Sequence, residues 1–262
     1  MKKKCIVVIP AHNEEEAIGQ VIHKVPRFFR KDLEVSVLVV NDGSTDRTVQ
    51  VALEAGADHI LTMPGNCGLG AAVRTGLKRA YEWGADVAVM IDADNEYPAE
   101  EIPNLIEPIL EGQADYVMGS RFMGKVKGMK LHRRFGNYFF TALQSILLRR
   151  WIYDGQSGMR VFSRPVLNDL EIIHDYNYAQ VMTLNIVRKG YRMMEVPISY
   201  QVRTTGRSFI KFGAYLKHVI PAIFKEMSRP VSAGNRKQLY PALTGSKTPT
   251  SIFRNEGRGS GG

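Results

Sequence analysis

Asp92-Ala93-Asp94 directly follows the apolar run Val87-Ala88-Val89-Met90-Ile91 and precedes Asn95-Glu96-Tyr97-Pro98. The pattern predicts a buried strand that ends in two carboxylates and then breaks at a proline. Side chains two apart on an extended segment point the same way, so the two acids can share one hard cation. Carboxylate oxygens suit Mg2+ or Mn2+, ions that commonly bridge protein and substrate phosphates. Acids at this spacing are also common by chance, and a solvated acidic turn is the alternative reading. The other clusters of the chain decide between them.

Those clusters are positioned by alternating strand and helix patterns. Strands are expected at residues 5–10, 35–40, 59–62, 86–91 and 116–119, and helices at 15–25, 44–55, 70–83 and 99–111. Ser44-Thr45-Asp46 reads as the N-cap of the second helix. Such alternation argues for an α/β fold, a mostly parallel sheet with helices on both faces. In that architecture ligands bind beyond the carboxyl ends of the strands. Pro10-Ala11-His12-Asn13-Glu14 follows the first strand, and Asn41-Asp42-Gly43-Ser44 follows the second. Asn66-Cys67-Gly68-Leu69-Gly70 precedes the third helix, and Gly119-Ser120-Arg121 follows the fifth strand. With Asp92-Ala93-Asp94, every polar cluster falls on one edge of the expected sheet.

Length and charge bound the answer. The 262 residues suffice for one α/β domain with a sizeable core. The formal net charge of +9 points to an anionic partner: phosphates, nucleic acid or a lipid surface. Cys5 and Cys67 form no CxxC pair and read as reduced thiols of a cytoplasmic protein. Met1-Lys2-Lys3-Lys4 begins like a signal peptide, but the apolar run after it ends at Pro10, which is too short. No segment reaches the roughly 20 apolar residues of a membrane span.

The second half is different in composition. Lys125, Lys127, Lys130, Arg133, Arg134, Arg149 and Arg150 surround a strongly apolar stretch at 135–148. Further strands are expected at 154–162 and 191–196, with a helix at 178–189. An amphipathic stretch at 209–227 carries Pro221, which is expected to kink or interrupt it. From residue 228 the chain is rich in Gly, Ser, Pro and basic residues and reads as a disordered basic tail. The division expected is one domain over 1–227, with a first half at about 1–124 and a second at about 125–227.

The ordered set of motifs resembles the family 2 glycosyltransferases, which have the GT-A fold. Asp154-Gly155-Gln156-Ser157-Gly158-Met159-Arg160 and Arg203-Thr204-Thr205-Gly206-Arg207-Ser208 narrow the resemblance to the dolichol-phosphate mannose synthase branch, with its polyprenyl-phosphate glycosyltransferases. The resemblance covers about residues 4–227 and implies the following roles. Pro10, Asn13, Glu14, Asp42, Gly68, Gly70, Arg74, Asp92 and Ala93 would bind the nucleotide sugar. Asp92 and Asp94 would hold Mg2+ or Mn2+ on its diphosphate, with Asp94 catalytic. Glu96 occupies the family's third metal-ligand position, usually a Gln; its extra charge either tightens metal binding or faces solvent. Arg121, Arg134 and Arg203 would grip a lipid phosphate, Arg133 being the alternative to Arg134, and Arg121 and Arg203 would be catalytic. Ser208 matches a family serine, and Lys211 stands in for the lysine that usually follows it. Asp154 is either an acid near the sugar or half of a structural ion pair. The carboxylate often found near Gln180 is replaced by Asp175 or by nothing.

On this resemblance, the enzyme would invert configuration as it moves a hexose, mannose from GDP-mannose ahead of glucose from UDP-glucose, to polyprenyl or dolichyl phosphate. A lipid phosphate is already anionic and needs no general base. The protein's task is to orient and screen two anions. Stretch 135–148 is read as a core helix or as a helix lying in a membrane interface, and for 209–227 the interface is favoured over the core; nearby basic residues add about 1 kcal/mol each on anionic lipid. The location expected is peripheral, on the cytoplasmic face of the membrane. Three other classes are weighed. A nucleic-acid-binding protein fits the charge, but acids and not aromatics stand at the strand ends. A transferase to a hydroxyl acceptor, using a UDP-sugar in envelope polysaccharide or glycoprotein synthesis, needs a base that the sequence does not display. A nucleotidyltransferase needs a Gly-rich loop with a Lys after the first strand.

Overall fold

In the computed structural model, which describes residues 2–173, 178–202 and 212–230, strand β1 (Lys3–Ala11) is buried from Cys5 onward. Cys5, Val7 and Ile9 enter one hydrophobic core, and Ile6 and Val8 enter another. This is the two-residue period of a strand covered on both faces. Along the chain follow α1 (Ile18–Lys24), β2 (Leu33–Asn41), α2 (Thr48–Glu54), β3 (His59–Thr62), α3 (Leu69–Glu82) and β4 (Val87–Ile91). A short 3-10 turn, Ala99–Glu101, leads into α4 (Ile102–Leu110), then β5 (Tyr116–Ser120), β6 (Val126–Lys127) and α5 (Leu131–Leu148). The last described elements are β7 (Met159–Ser163), α6 (Arg164–Asp169), α7 (Tyr178–Arg188), β8 (Met193–Pro197), β9 (Tyr200–Gln201) and α8 (Phe212–Ser228).

The sheet order is β3-β2-β1-β4-β7-β5-β8, with β6 and β9 forming a separate small pair. Strand β7 runs antiparallel to both of its neighbours, and all other pairs are parallel. Helices α1, α2 and α4 cover one face through Ile18, Val21, Ile22, Ala52, Ile102, Leu105 and Ile106. Helices α3, α6 and α7 cover the other through Val73, Leu77, Val166, Leu167, Met182 and Ile186. A third cluster joins α5, α7 and α8 through Phe140, Leu184, Val219 and Ile223. Residues Met1–Ser232 form one compact unit. Among the described residues no helix is long and apolar enough to cross a membrane.

Several local expectations shift. The strand expected at 154–162 starts only at Met159, because Asp154 Oδ1 accepts the Gln156 amide at 3.2 Å and turns the chain there. The helix expected from Ser44 starts at Thr48, whose amide is bound by Asp46 Oδ1 at 2.9 Å. Helix α8 continues through Pro221, which lies exposed, where water can satisfy the carbonyl that loses its N–H partner. Ser228 and Arg229, expected to open the tail, are held in the fold. Arg188 Nη2 binds the Arg229 carbonyl at 2.8 Å, and Arg229 pairs with Glu171 at 3.1 Å. The rest of that stretch, 231–262, lies outside the described residues.

Candidate active site

The ends of β1 and β2 meet in one hydrogen-bonded corner. Asn13 adopts a left-handed backbone (φ 54°), which turns the chain directly after β1. Its amide donates to Ser44 Oγ at 3.1 Å, and its Oδ1 accepts the Thr45 amide at 2.8 Å. The Glu14 amide donates to Thr48 Oγ1 at 2.8 Å. Asp42 is nearly fully buried, and its two oxygens accept the amides of Cys67 and Gly68 at 2.7 and 2.8 Å. In this structure Asp42 therefore holds the glycine loop. Gly68 has φ 92°, a conformation that a side chain would strain, and it opens α3. Gly70 is buried in the first turn of α3. Arg74, one turn on, donates to the Ile172 carbonyl at 2.9 Å.

His12 completes the corner. Its Nδ1 faces the Asp42 carbonyl at 2.7 Å and must donate there. Nε2 is then the acceptor for the side-chain Nδ2 groups of Asn66, at 3.0 Å, and Asn13, at 3.3 Å. Spacing gave this histidine no role, because its partners lie on two other loops.

Asp92 stands where β4 meets the loop before β7. Its amide donates to the Gly158 carbonyl at 3.2 Å. A Cβ on Gly158 would fall 1.8 Å from Asp92 Oδ2, so only glycine fits beneath that carboxylate. Asp92 Oδ1 is buried and has no hydrogen-bond partner among the described residues. Burial first, then the charges of Asp94 and Glu96, push the Asp92 carboxyl well above the ordinary carboxylate range. Arg160 and Arg121 oppose that push. Asp94 Oδ1 accepts the Glu96 amide at 3.1 Å. Ala93 is buried between the two acids.

Glu96 is enclosed. It is 4% exposed, so it does not face solvent. Its carboxylate receives Arg133 Nη1 at 3.3 Å, Arg133 Nη2 at 3.1 Å and the Tyr200 hydroxyl. Among the described residues no three His, Cys, Asp or Glu side chains converge to hold a metal.

Arg121 is enclosed as well. It is 2% exposed and forms a bidentate pair with Asp154, Nε–Oδ2 at 2.7 Å and Nη2–Oδ1 at 2.8 Å. Its guanidinium also lies 5.2 Å from the Tyr200 ring centroid and 5.9 Å from that of Tyr97. A guanidinium so enclosed braces the site. Asp154 is thereby the structural ion pair. Arg133 also rests on Tyr200, at 5.9 Å, with its side chain 40% exposed. Arg134 is exposed and stacks near Phe122 and Tyr138, donating to the Tyr138 hydroxyl at 3.1 Å. Arg203, Ser208, Lys211 and Asp175 lie outside the described residues. Gln180 is buried in α7, its carbonyl accepting Gln144 Nε2 at 3.3 Å.

Two residues escaped sequence reasoning on this side. Arg160 is fully buried, binding the Ser157 and Gly155 carbonyls at 2.8 and 3.2 Å and Thr183 Oγ1 at 2.7 Å. It shapes the loop that carries Gly158. Tyr97 receives the Gly158 amide on its hydroxyl at 2.8 Å. A cleft of about 450 Å³ opens beside Asp94, with Gln20, Lys24, Asn95, Lys125, Lys127 and Tyr200 among its lining residues.

The family model described as Glycosyl transferase family 2 matches residues 6–171. The chain is 34% identical to the dolichyl-phosphate hexose transferase of Haloferax volcanii, over 75% of this chain and 82% of the relative. It is 32% identical to the polyprenol monophosphomannose synthase of Mycolicibacterium smegmatis, over 79% of this chain and 80% of the relative. Among solved structures it resembles the glucosyl-3-phosphoglycerate synthase of Mycobacterium tuberculosis, crystallised with Mn2+, uridine diphosphate and glucosyl-3-phosphoglycerate. The TM-score is 0.70 at 23% identity, covering 88% of this chain and 82% of that one.

Proposed function

The chain belongs to glycosyl transferase family 2, and from that premise we propose that it moves a hexose from a nucleotide sugar to polyprenyl or dolichyl phosphate. The observation that carries this reading is the buried, unpartnered Asp92 Oδ1 beside Asp94, on the edge where the β1–β2 corner and the arginine-rich flank meet. An orphaned buried carboxylate oxygen with a second carboxylate two residues on fits a hard divalent cation. Asp92 and Asp94 would hold Mg2+ or Mn2+. When bound, the ion would supply positive charge to the donor's diphosphate.

The chain's own residues divide the remaining work. Pro10, Asn13, Glu14, Asp42, Gly68, Gly70 and Arg74 would form the donor pocket, with Asp42 setting the glycine loop. Arg133 and Arg134 present accessible guanidinium groups to the acceptor, whose fork geometry suits phosphate. Arg203, Ser208 and Lys211 are proposed to join them. Asp154 is committed to Arg121 and is not available as a base, which favours an acceptor that arrives already ionised. Displacement at the anomeric carbon would invert its configuration.

The proposed donor is GDP-mannose, with UDP-glucose second; the mycobacterial relative supports mannose, and the Haloferax relative is named only for a hexose. The proposed place is the cytoplasmic membrane face, reached peripherally. Helix α5 supports it, since Leu131, Phe135, Phe139 and Ile146 are exposed along one side between Lys130 and Arg149. Helix α8 contributes less than its amphipathic sequence suggests. Val219, Ala222 and Ile223 are buried, and Ile220 and Phe224 are exposed.

The test is a donor panel of GDP-mannose, UDP-glucose and UDP-N-acetylglucosamine with undecaprenyl or dolichyl phosphate and Mn2+ or Mg2+. The expected product is a lipid-phosphate hexose whose formation stops in excess EDTA. Transfer to a hydroxyl acceptor with none to lipid phosphate would overturn the reading.

A further inference from the structure

Glu96 stands two residues after Asp94, and four of its bonded neighbours come from three parts of the fold: Asp94, Arg133 of α5, and Tyr200 and Gln201 of β9. Its amide donates to Asp94 Oδ1 at 3.1 Å. Its carbonyl accepts the Gln201 amide of β9 at 3.2 Å. Its carboxylate is shared by Arg133 of α5 and the hydroxyl of Tyr200 in β9. One residue thus touches an acid of the proposed cation site through its main chain and an arginine of the proposed acceptor side through its side chain.

Burial leaves the carboxylate to find its partners inside the protein and not in solvent. The Glu96 carboxylate adds a third negative charge close to Asp92 and Asp94 in a nearly fully buried position. Pairing with Arg133 neutralises part of the excess, and the charge-assisted hydrogen bonds hold a planar guanidinium in one orientation. Tyr200 completes the restraint. Its hydroxyl binds Glu96 while its ring supports Arg133 at 5.9 Å and the sealed Arg121 at 5.2 Å.

We propose that Glu96 is a positioning residue and not a metal ligand: it latches Arg133 against Tyr200 so that the acceptor's phosphate meets an oriented guanidinium at a fixed distance from Asp94. The proposal rests on the lipid-phosphate reading for its substrate, but its central claim is separable from it. A Gln at this position can reach a metal through its amide oxygen, whereas only a carboxylate forms an ion pair with Arg133. The substitution Glu96→Gln therefore tells the two roles apart.

Direct Mn2+ binding, followed by electron paramagnetic resonance with a nucleoside diphosphate present, needs neither turnover nor acceptor. Under the proposal, Glu96→Gln and Glu96→Ala leave Mn2+ affinity and the donor KM within about twofold of wild type. The acceptor KM rises about tenfold in Glu96→Ala and less in Glu96→Gln. Arg133→Gln raises the acceptor KM by a similar factor, and Glu96→Ala adds nothing further on top of it, as a shared interaction requires. Thermal melts of both Glu96 variants check that each is folded. A tenfold loss of Mn2+ affinity in either folded variant would make Glu96 a ligand and sink the proposal. Additive effects of Glu96→Ala and Arg133→Gln would sink it too. If wild type turns over no lipid phosphate, the functional reading fails by itself, while the Mn2+ measurement still decides whether Glu96 binds metal.

Discussion

A buried carboxylate loses stability when it ionises, and Asp92 meets three such penalties together: burial, Asp94 and Glu96. Its folded pKa is raised, so the folded protein binds a proton that the unfolded chain releases near the usual Asp value of about 3.9. The sign follows from linkage. This residue's contribution is most favourable at low pH and declines as pH rises through the raised value. In metal-free protein, Asp92→Asn is expected to raise the melting temperature at pH 7 by a few degrees and to flatten its decline with pH, measured by differential scanning fluorimetry. An unchanged melting curve would show that Asp92 is not strained. Arg121 and Asp154 behave oppositely, because each is the other's compensation inside the protein. Asp154→Ala would leave Arg121 buried and unpaired, and a loss of about 3–5 kcal/mol is expected in urea unfolding. A loss below 1 kcal/mol would mean that water enters and replaces the carboxylate.

Helix α5 carries a different kind of statement. Phe135 and Phe139 lie one turn apart, 71% and 58% exposed, and Trp151 just beyond the helix is 75% exposed. Large apolar side chains gathered on one exposed flank mark a contact surface. The neighbouring Lys130, Arg134, Arg149 and Arg150 favour an anionic one. Phe135→Ser/Phe139→Ser is expected to weaken cosedimentation with vesicles containing phosphatidylglycerol several-fold without lowering the melting temperature. Wild-type binding should also fall as salt screens the basic residues. Equal binding by the double variant would move the membrane contact elsewhere. The sequence suggested α8 for this role more strongly than α5. An amphipathic pattern shows that a helix has an apolar side, but not what covers it, and part of that side of α8 packs on Phe140 and Leu184.

At the scale of the whole molecule, the division between local and long-range information is visible in the sheet. Apolar alternation, punctuated by Asn, Asp, Gly and Pro, was enough to read the strand–helix series and to place the polar clusters on one edge, because those signals lie within a few consecutive residues. The antiparallel course of β7 was not readable. Its insertion between β4 and β5 pairs Ile91 with Met159 and so delivers the 154–158 loop beneath Asp92. That placement encloses Asp154 with Arg121, 33 residues away in sequence. The residue types of the site, the acid pair and the family's motif order were thus determined by the sequence itself. Which cation each acid keeps was decided only by tertiary structure. Glu96 finds Arg133 at 37 residues and Tyr200 at 104 residues of separation. No local pattern encodes such pairs, since they form only when the folded sheet brings distant loops to the same edge.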